Sequence, residues 1–164
     1  MYSFHHKDLP GVAKPKAAQH DAFARATAKS TNDFCDPHKV FYQLGVKEGM
    51  KVVDLGAGTG AYTKLFANGV GSTGTVYALD VQKDVLQRLK RDLDQKGYSH
   101  ITYIWANVEK QGGTKLADAT ADYVFISNML FQVESAESVL EEVHRILKPK
   151  GRLAIIDWSE SFNG

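Results

Sequence analysis

Asp54-Leu55-Gly56-Ala57-Gly58-Thr59-Gly60 sets one acid ahead of three glycines spaced at every second residue. Glycine lacks a Cβ, so the chain can turn sharply here and a small ligand can lie directly against the backbone. Asp54 stands two residues before the first glycine, at the end of the apolar run begun by Val52 and Val53. A carboxylate at that place attracts a cationic ligand and repels a diphosphate. Gly56-x-Gly58-x-x-Ala61 also fits the loose dinucleotide fingerprint, so the glycines alone do not name the ligand. Further along, Asp80, Asn107, the pair Ser127-Asn128 and Asp157 each close or follow a short apolar run.

The elements that must position these residues follow from hydrophobic spacing. Val52, Val53 and Leu55 mark a first buried strand, and Tyr62, Leu65 and Phe66 mark a helix that begins near Ala61 and stops near Asn68-Gly69. Residues 75–80 read as a second strand ending in Asp80. A helix over about 82–96 shows Val85, Leu86, Leu89 and Leu93 at helical spacing, closed by Gly97. Residues 101–105 form a third strand and residues 122–127 a fourth. Ser135 or Ser138 caps the next helix, Ser138 and Glu141 suit a capping box, and Val139, Leu140, Val143, Ile146 and Leu147 face the core. Lys148-Pro149-Lys150-Gly151 breaks that helix ahead of a fifth strand over residues 152–158. Upstream, Asp36-Pro37 starts a helix with Val40, Phe41 and Leu44 on one face. Strands alternating with helices in this rhythm imply a parallel sheet with right-handed crossovers, an α/β fold.

With Asp-Leu-Gly-Ala-Gly-Thr-Gly at the first turn and an acid at the end of strand two, residues 34–158 resemble the class I, Rossmann-like S-adenosylmethionine-dependent methyltransferases. S-adenosylmethionine carries a sulfonium and an ammonium and no phosphate, which suits Asp54. The resemblance implies a three-layer sandwich with strand order 3-2-1-4-5 and a cleft above strands one and four. It implies cofactor contacts from Asp54, Gly56, Ala57, Gly58, Thr59 and Gly60, and a ribose contact from Asp80 with Val81 beside the adenine. Asn107 stands where the family often has an aspartate that meets the adenine amino group, and Val108 can offer a backbone N–H. Ser127 and Asn128 match the segment under the methionine part of the cofactor. The plain alternatives are a helix cap for Asp80 and a turn for Asn107.

Methyl transfer from a sulfonium needs alignment and exclusion of water more than it needs a base. Asn128 is the polar candidate to face both cofactor and acceptor, and Asp157 is a candidate base that can instead cap its strand. No histidine lies in a motif that assigns it a catalytic role.

The chain of 164 residues is 43% apolar and 24% charged with net charge +1, an ordinary balance for a globular protein. Cys35 is the single cysteine, which excludes a disulfide framework within the chain and a cysteine-cluster metal site. No apolar run approaches the ~20 residues that cross a bilayer, and the cytoplasm is the expected location. Residues 1–33 read as an N-terminal arm and helix, and residues 34–164 as the cofactor-binding domain. Only Ser159 to Gly164 follow strand five, so the family's usual hairpin of strands six and seven is not expected within the chain. The fifth strand should then be a sheet edge that either the chain's own N-terminal arm or another copy of the chain covers.

Three functions suit these residues: a methyltransferase acting on an oxygen or nitrogen acceptor, an NAD-type oxidoreductase, and a non-catalytic cofactor-binding module. Asp54 has the wrong charge for the second. For the acceptor, RNA is the first expectation and a small hydroxylated or amino metabolite the second. Basic, histidine and aromatic residues mingle in residues 1–40, as phosphate and base contacts require.

Overall fold

Val52, Val53, Asp54 and Leu55 are all buried, so the strand β1 (Lys51–Leu55) needs cover on both faces and belongs in the middle of a sheet. The computed structural model, which describes residues 36–157, places it there. Around it lie β2 (Thr75–Asp80), β3 (Ile101–Trp105), β4 (Ala121–Ser127) and β5 (Leu147–Ile156), all parallel, in the order β3-β2-β1-β4-β5. The order reverses between β1 and β4, where sheets of this kind leave a crevice beyond the carboxyl ends of the strands.

Among the described residues, four helices cover the sheet: α1 (Pro37–Leu44), α2 (Ala61–Val70), α3 (Lys83–Gln95) and α4 (Ala136–Ile146). Side chains alternate along each strand, and the core divides accordingly. Val52, Val76, Tyr123 and Phe125 meet Phe66, Ala67 and Val70 of α2, with Val40, Phe41 and Leu44 of α1 added behind. Leu86, Leu89 and Leu93 of α3 pack with Ala57 and Ala78. On the opposite face Val53, Leu55, Val124 and Ile126 meet Val139, Val143 and Ile146 of α4. These three layers are the sandwich that the sequence implies. Among the described residues, no helix is long and apolar enough to cross a membrane. Among those residues β5 pairs only with β4, and its Leu153 and Ile155 are exposed.

Several local expectations are corrected. Helix α2 continues through Gly69 to Val70 and ends at Gly71, whose φ is +62°. Gly69 is a packing residue, because a Cβ there would stand 2.5 Å from Cζ of Phe41. Ser135 alone is the N-cap of α4, accepting from the Ser138 N–H at 3.1 Å; Ser138 lies inside the helix and forms no box with Glu141. Leu140 is exposed, and the buried face of α4 runs through Val139, Glu142, Val143 and Ile146. The break at Lys148 to Gly151 does end the helix, yet it lies within β5. Leu147 already pairs with Ala121, and a register shift precedes the pairing of Arg152 with Tyr123. The arm over residues 1–16, the helix over residues 17–29, Cys35 and Trp158 lie outside the described residues.

Glu142 is the buried acid that hydrophobic spacing does not reveal. At 2% exposure, it accepts from the backbone N–H groups of Gly112 and Thr114, from the Thr114 hydroxyl at 2.6 Å, and from Nε and Nη2 of Arg145. Burial pushes its carboxyl up, but Arg145, Thr114 and the two N–H groups outweigh that and hold it at about 2. The cluster binds the connection from β3 to β4 onto α4. Glu142→Ala should therefore cost about 3–5 kcal/mol in urea unfolding, since it leaves Arg145 and the two N–H groups without their shared acceptor. A loss below about 1 kcal/mol would show that the cluster is dispensable.

Candidate ligand-binding site

The loop after β1 is stitched to the end of β2: the N–H groups of Gly56 and Ala57 both donate to the carbonyl of Leu79 at 2.9 Å. Within the loop the glycines serve different ends. Gly60 has φ +83°, and a Cβ there would stand 2.1 Å from Cδ1 of Leu89, so this glycine lets α3 pack close. Gly58 has φ +52°, and a Cβ there would meet nothing nearer than the Gly56 carbonyl oxygen at 3.8 Å. That side of the loop is an open cradle, bordered by the N-terminus of α2 at Ala61. Ala57 is buried and Thr59 exposed.

Asp80 closes β2 beside this cradle. Its Oδ2 accepts from the Gly58 N–H at 2.9 Å and its Oδ1 from the Gln82 N–H at 2.8 Å. Each carboxylate oxygen has a second lone pair, so the group can still accept from a pair of ligand hydroxyls. Asp54, at the end of β1, is only 3% exposed, and its Oδ2 accepts from the Thr63 hydroxyl at 2.5 Å. Burial pushes the Asp54 carboxyl up to about 6, against the pull of the Thr63 bond and with help from the nearby charge of Asp80. A cation arriving beside Asp54 would favour its ionised form.

Beyond β2 and β3, Val81 is exposed and its carbonyl accepts from the Trp105 indole N–H at 2.9 Å. Oδ1 of Asn107 accepts from the Glu109 N–H at 3.0 Å, so the turn expected at this residue is present. The Val108 side chain packs on the core. After β4, Asn128 adopts the left-handed region with φ +51°, which asparagine tolerates better than most residues. Its N–H donates to the Ile156 carbonyl at 2.8 Å, its side-chain amide to the Ser127 hydroxyl at 3.2 Å, and its carbonyl accepts from Gln132 at 2.7 Å. Oδ2 of Asp157 accepts from the N–H groups of Met129 at 3.2 Å and Leu130 at 2.7 Å, which starts the short 3-10 turn Leu130–Gln132. That geometry gives Asp157 a capping task.

The structure thus joins the glycine loop directly to Asp80, and joins Ser127 and Asn128 to the segment that Asp157 caps. Asn107 follows β3, beside Ala106, whose N–H donates to the Asp80 carbonyl at 3.1 Å. Sequence reasoning passed over Thr63, Gln132 and Glu109. A threonine on the first turn of a helix and a glutamine in a loop carry no periodic signal, and Glu109 acts on a segment 25 residues away. Among the described residues, no cluster of His, Cys, Asp and Glu is placed to hold a metal ion.

Residues 46–163 match a family model described as a methyltransferase domain. The chain is 37% identical over 117 residues to the ubiquinone/menaquinone biosynthesis C-methyltransferase UbiE of Haemophilus ducreyi, which covers 71% of this chain and 44% of that protein. It is 30% identical over 118 residues to the demethylmenaquinone methyltransferase of Anoxybacillus flavithermus, covering 72% of this chain and 48% of the relative. The chain spans less than half the length of these relatives. A solved structure of a SAM dependent methyltransferase from Aquifex aeolicus is similar, with a TM-score of 0.69 and 34% identity over 79% of this chain and 68% of that one. By its family model, its sheet order and its glycine loop, the chain belongs to the S-adenosylmethionine-dependent methyltransferases.

Proposed function

We propose that residues 34–164 form a domain that binds S-adenosylmethionine across the crevice between β1 and β4 and directs its methyl group to a carbon of a small quinone-type ring. When bound, S-adenosylmethionine supplies a methyl group on a sulfonium; the acceptor gives up a proton and S-adenosylhomocysteine is left. The observation that carries the reading is Asp80. It is fastened by Gly58 and Gln82, retains lone pairs for two ribose hydroxyls, and borders a cradle that a ligand can fill without displacing a side chain. Asp54 offers a carboxyl for the cationic amino-acid end, with Ser127 and Asn128 on the other wall. Val81 offers an apolar surface to the adenine, and Asn107 and Val108 close that side. In this reading Asn128 orients the two reactants and Asp157 positions the segment that begins there, with no protein base assigned.

The acceptor class rests on the names of the curated relatives, among them a ubiquinone/menaquinone biosynthesis C-methyltransferase and a demethylmenaquinone methyltransferase. Those names replace the expected oxygen or nitrogen acceptor with carbon in one case, and they lend nothing to RNA. Residues 130 and 131 suit an apolar ring. Leu130 is partly buried against the core and Phe131 is 62% exposed, directly after the capped N–H groups. Incubating the protein with methyl-labelled donor and a demethylated quinol should move label into the ring. Label found only in RNA would reverse the choice of acceptor, and none in any fraction would leave the cofactor-binding module as the better description.

Binding can be tested without the acceptor. Asp80→Ala should weaken S-adenosylhomocysteine in calorimetry by about tenfold or more, because charge-assisted bonds to the ribose contribute ~1.5–3 kcal/mol each. Unchanged affinity would remove Asp80 from the ribose site.

Asp54 supplies a pH dependence with a definite sign. Its folded value is raised to about 6, so its contribution to stability is full below the ordinary carboxylate value and is lost as pH rises to about 6. In the ligand-free protein Asp54→Asn should therefore stabilise by on the order of 2–3 kcal/mol at pH 7.5, and by little at pH 3.5. Equal effects at the two pH values in thermal melts would contradict the shift. Affinity for S-adenosylmethionine should fall below pH 6 in the parent, where binding a cation requires Asp54 to release its proton.

A further inference from the structure

Glu109 lies two residues beyond Asn107, in the loop that follows β3, and is half-buried. Its Oε2 accepts from the N–H of Glu134 at 2.8 Å and from the N–H of Ser135 at 3.1 Å. These two donors end the segment after β4 and open α4, whose N-cap is Ser135. The same segment begins at Asn128, where Asp157 takes the N–H groups of Met129 and Leu130. Between those ties no residue of the 3-10 turn is fully buried and Phe131 is exposed, while Met129, Leu130 and Val133 pack partly against the core. Partial packing of three side chains thus holds the middle of this wall, and an acidic side chain from a neighbouring loop ties each end. At the other end, the Glu109 N–H donates to Oδ1 of Asn107. One residue thus joins the wall beside Asn107 and Val108 to the wall that starts at Ser127 and Asn128.

We infer that Glu109 is a positioning residue that couples the adenine side of the cleft to its amino-acid side, so that holding one end of the cofactor readies the wall for the other. This rests on the methyltransferase reading above. The carboxylate also sits at the positive end of the α4 dipole, beside the N-cap Ser135. Because acceptance of two N–H groups is what the tie requires, an amide oxygen at the same reach can replace the carboxylate, while a shortened or deleted side chain cannot.

The test compares two ligands that differ only at the end in question: S-adenosylhomocysteine, and 5′-methylthioadenosine, which lacks the amino-acid portion. In calorimetry on the full chain, Glu109→Ala should weaken S-adenosylhomocysteine about fivefold or more and leave methylthioadenosine unchanged. Glu109→Gln should restore the parent ratio of the two affinities, which a general loosening of the fold would not allow. Should Glu109→Ala fail to fold, Glu109→Asp poses the same question, since its carboxylate is drawn back by one methylene. Equal losses for both ligands, or no loss for either, would overturn the coupling while leaving the functional reading intact. A parent chain that binds neither ligand would overturn both.

Discussion

The carboxylate of Asp80 is the group on which this site depends. It takes one N–H from the glycine loop and one from the start of the helix that follows β2, so a single side chain sets the spacing between two connections. Burying an acid is unfavourable unless donors meet it, and N–H groups aimed at both oxygens answer that need. The loop is then registered on β2 twice, through Asp80 and through the Leu79 carbonyl. Gly60 permits the third constraint, the close approach of Leu89. A loop fixed at three points needs no ligand to shape it, and an open face at Gly58 is what remains. The residue that builds the cradle is also the residue left with lone pairs for a ligand's hydroxyls.

The other buried acids show how environment assigns opposite tasks to the same chemical group. Glu142 has an arginine, a hydroxyl and two N–H groups around it and is held low; it stabilises a connection. At Asp54, burial and the charge of Asp80 outweigh the hydrogen bonds from Thr63, and the carboxyl is pushed high. A carboxyl that is incompletely met in the scaffold gains most from a cation brought by a ligand. It is Asp54, at the carboxyl end of β1, and not Glu142 under α4, that stands in this condition.

The strands and the glycine loop were legible because both depend on short-range patterns: apolar runs of strand length, acids at their ends, glycines at alternate positions; the strand order followed from the family resemblance that those patterns carry. What was not legible depends on partners distant in sequence. Gly69 looked like a helix stop, but the ring of Phe41 needs its missing side chain inside the helix. Leu140 and Glu142 differ by two positions on α4, and only the location of Arg145 and Thr114 explains why the acid is buried and the leucine exposed. Pro149 ended a helix as expected, yet a register shift keeps it within β5. Asp157 was placed correctly at the end of a strand, but whether it faces a substrate or a backbone N–H cannot be read from its neighbours in the chain.

The two walls of the crevice are therefore built on different physics. On the β1–β2 side, the loop lies against buried Ala57, Ala78 and Leu89, and close packing resists change. On the β4 side, the segment from Asn128 to Ser135 packs only partly on the core, through Met129, Leu130 and Val133, and hydrogen bonds to Asp157 and Glu109 fix its ends, with Phe131 left outward. Hydrogen-bonded segments with little buried surface can be reshaped by few substitutions without disturbing the sheet beneath. A fold arranged this way can hold the glycine-loop wall constant while the opposite wall is altered. The acceptor is accordingly the property that the sheet and the glycine loop constrain least.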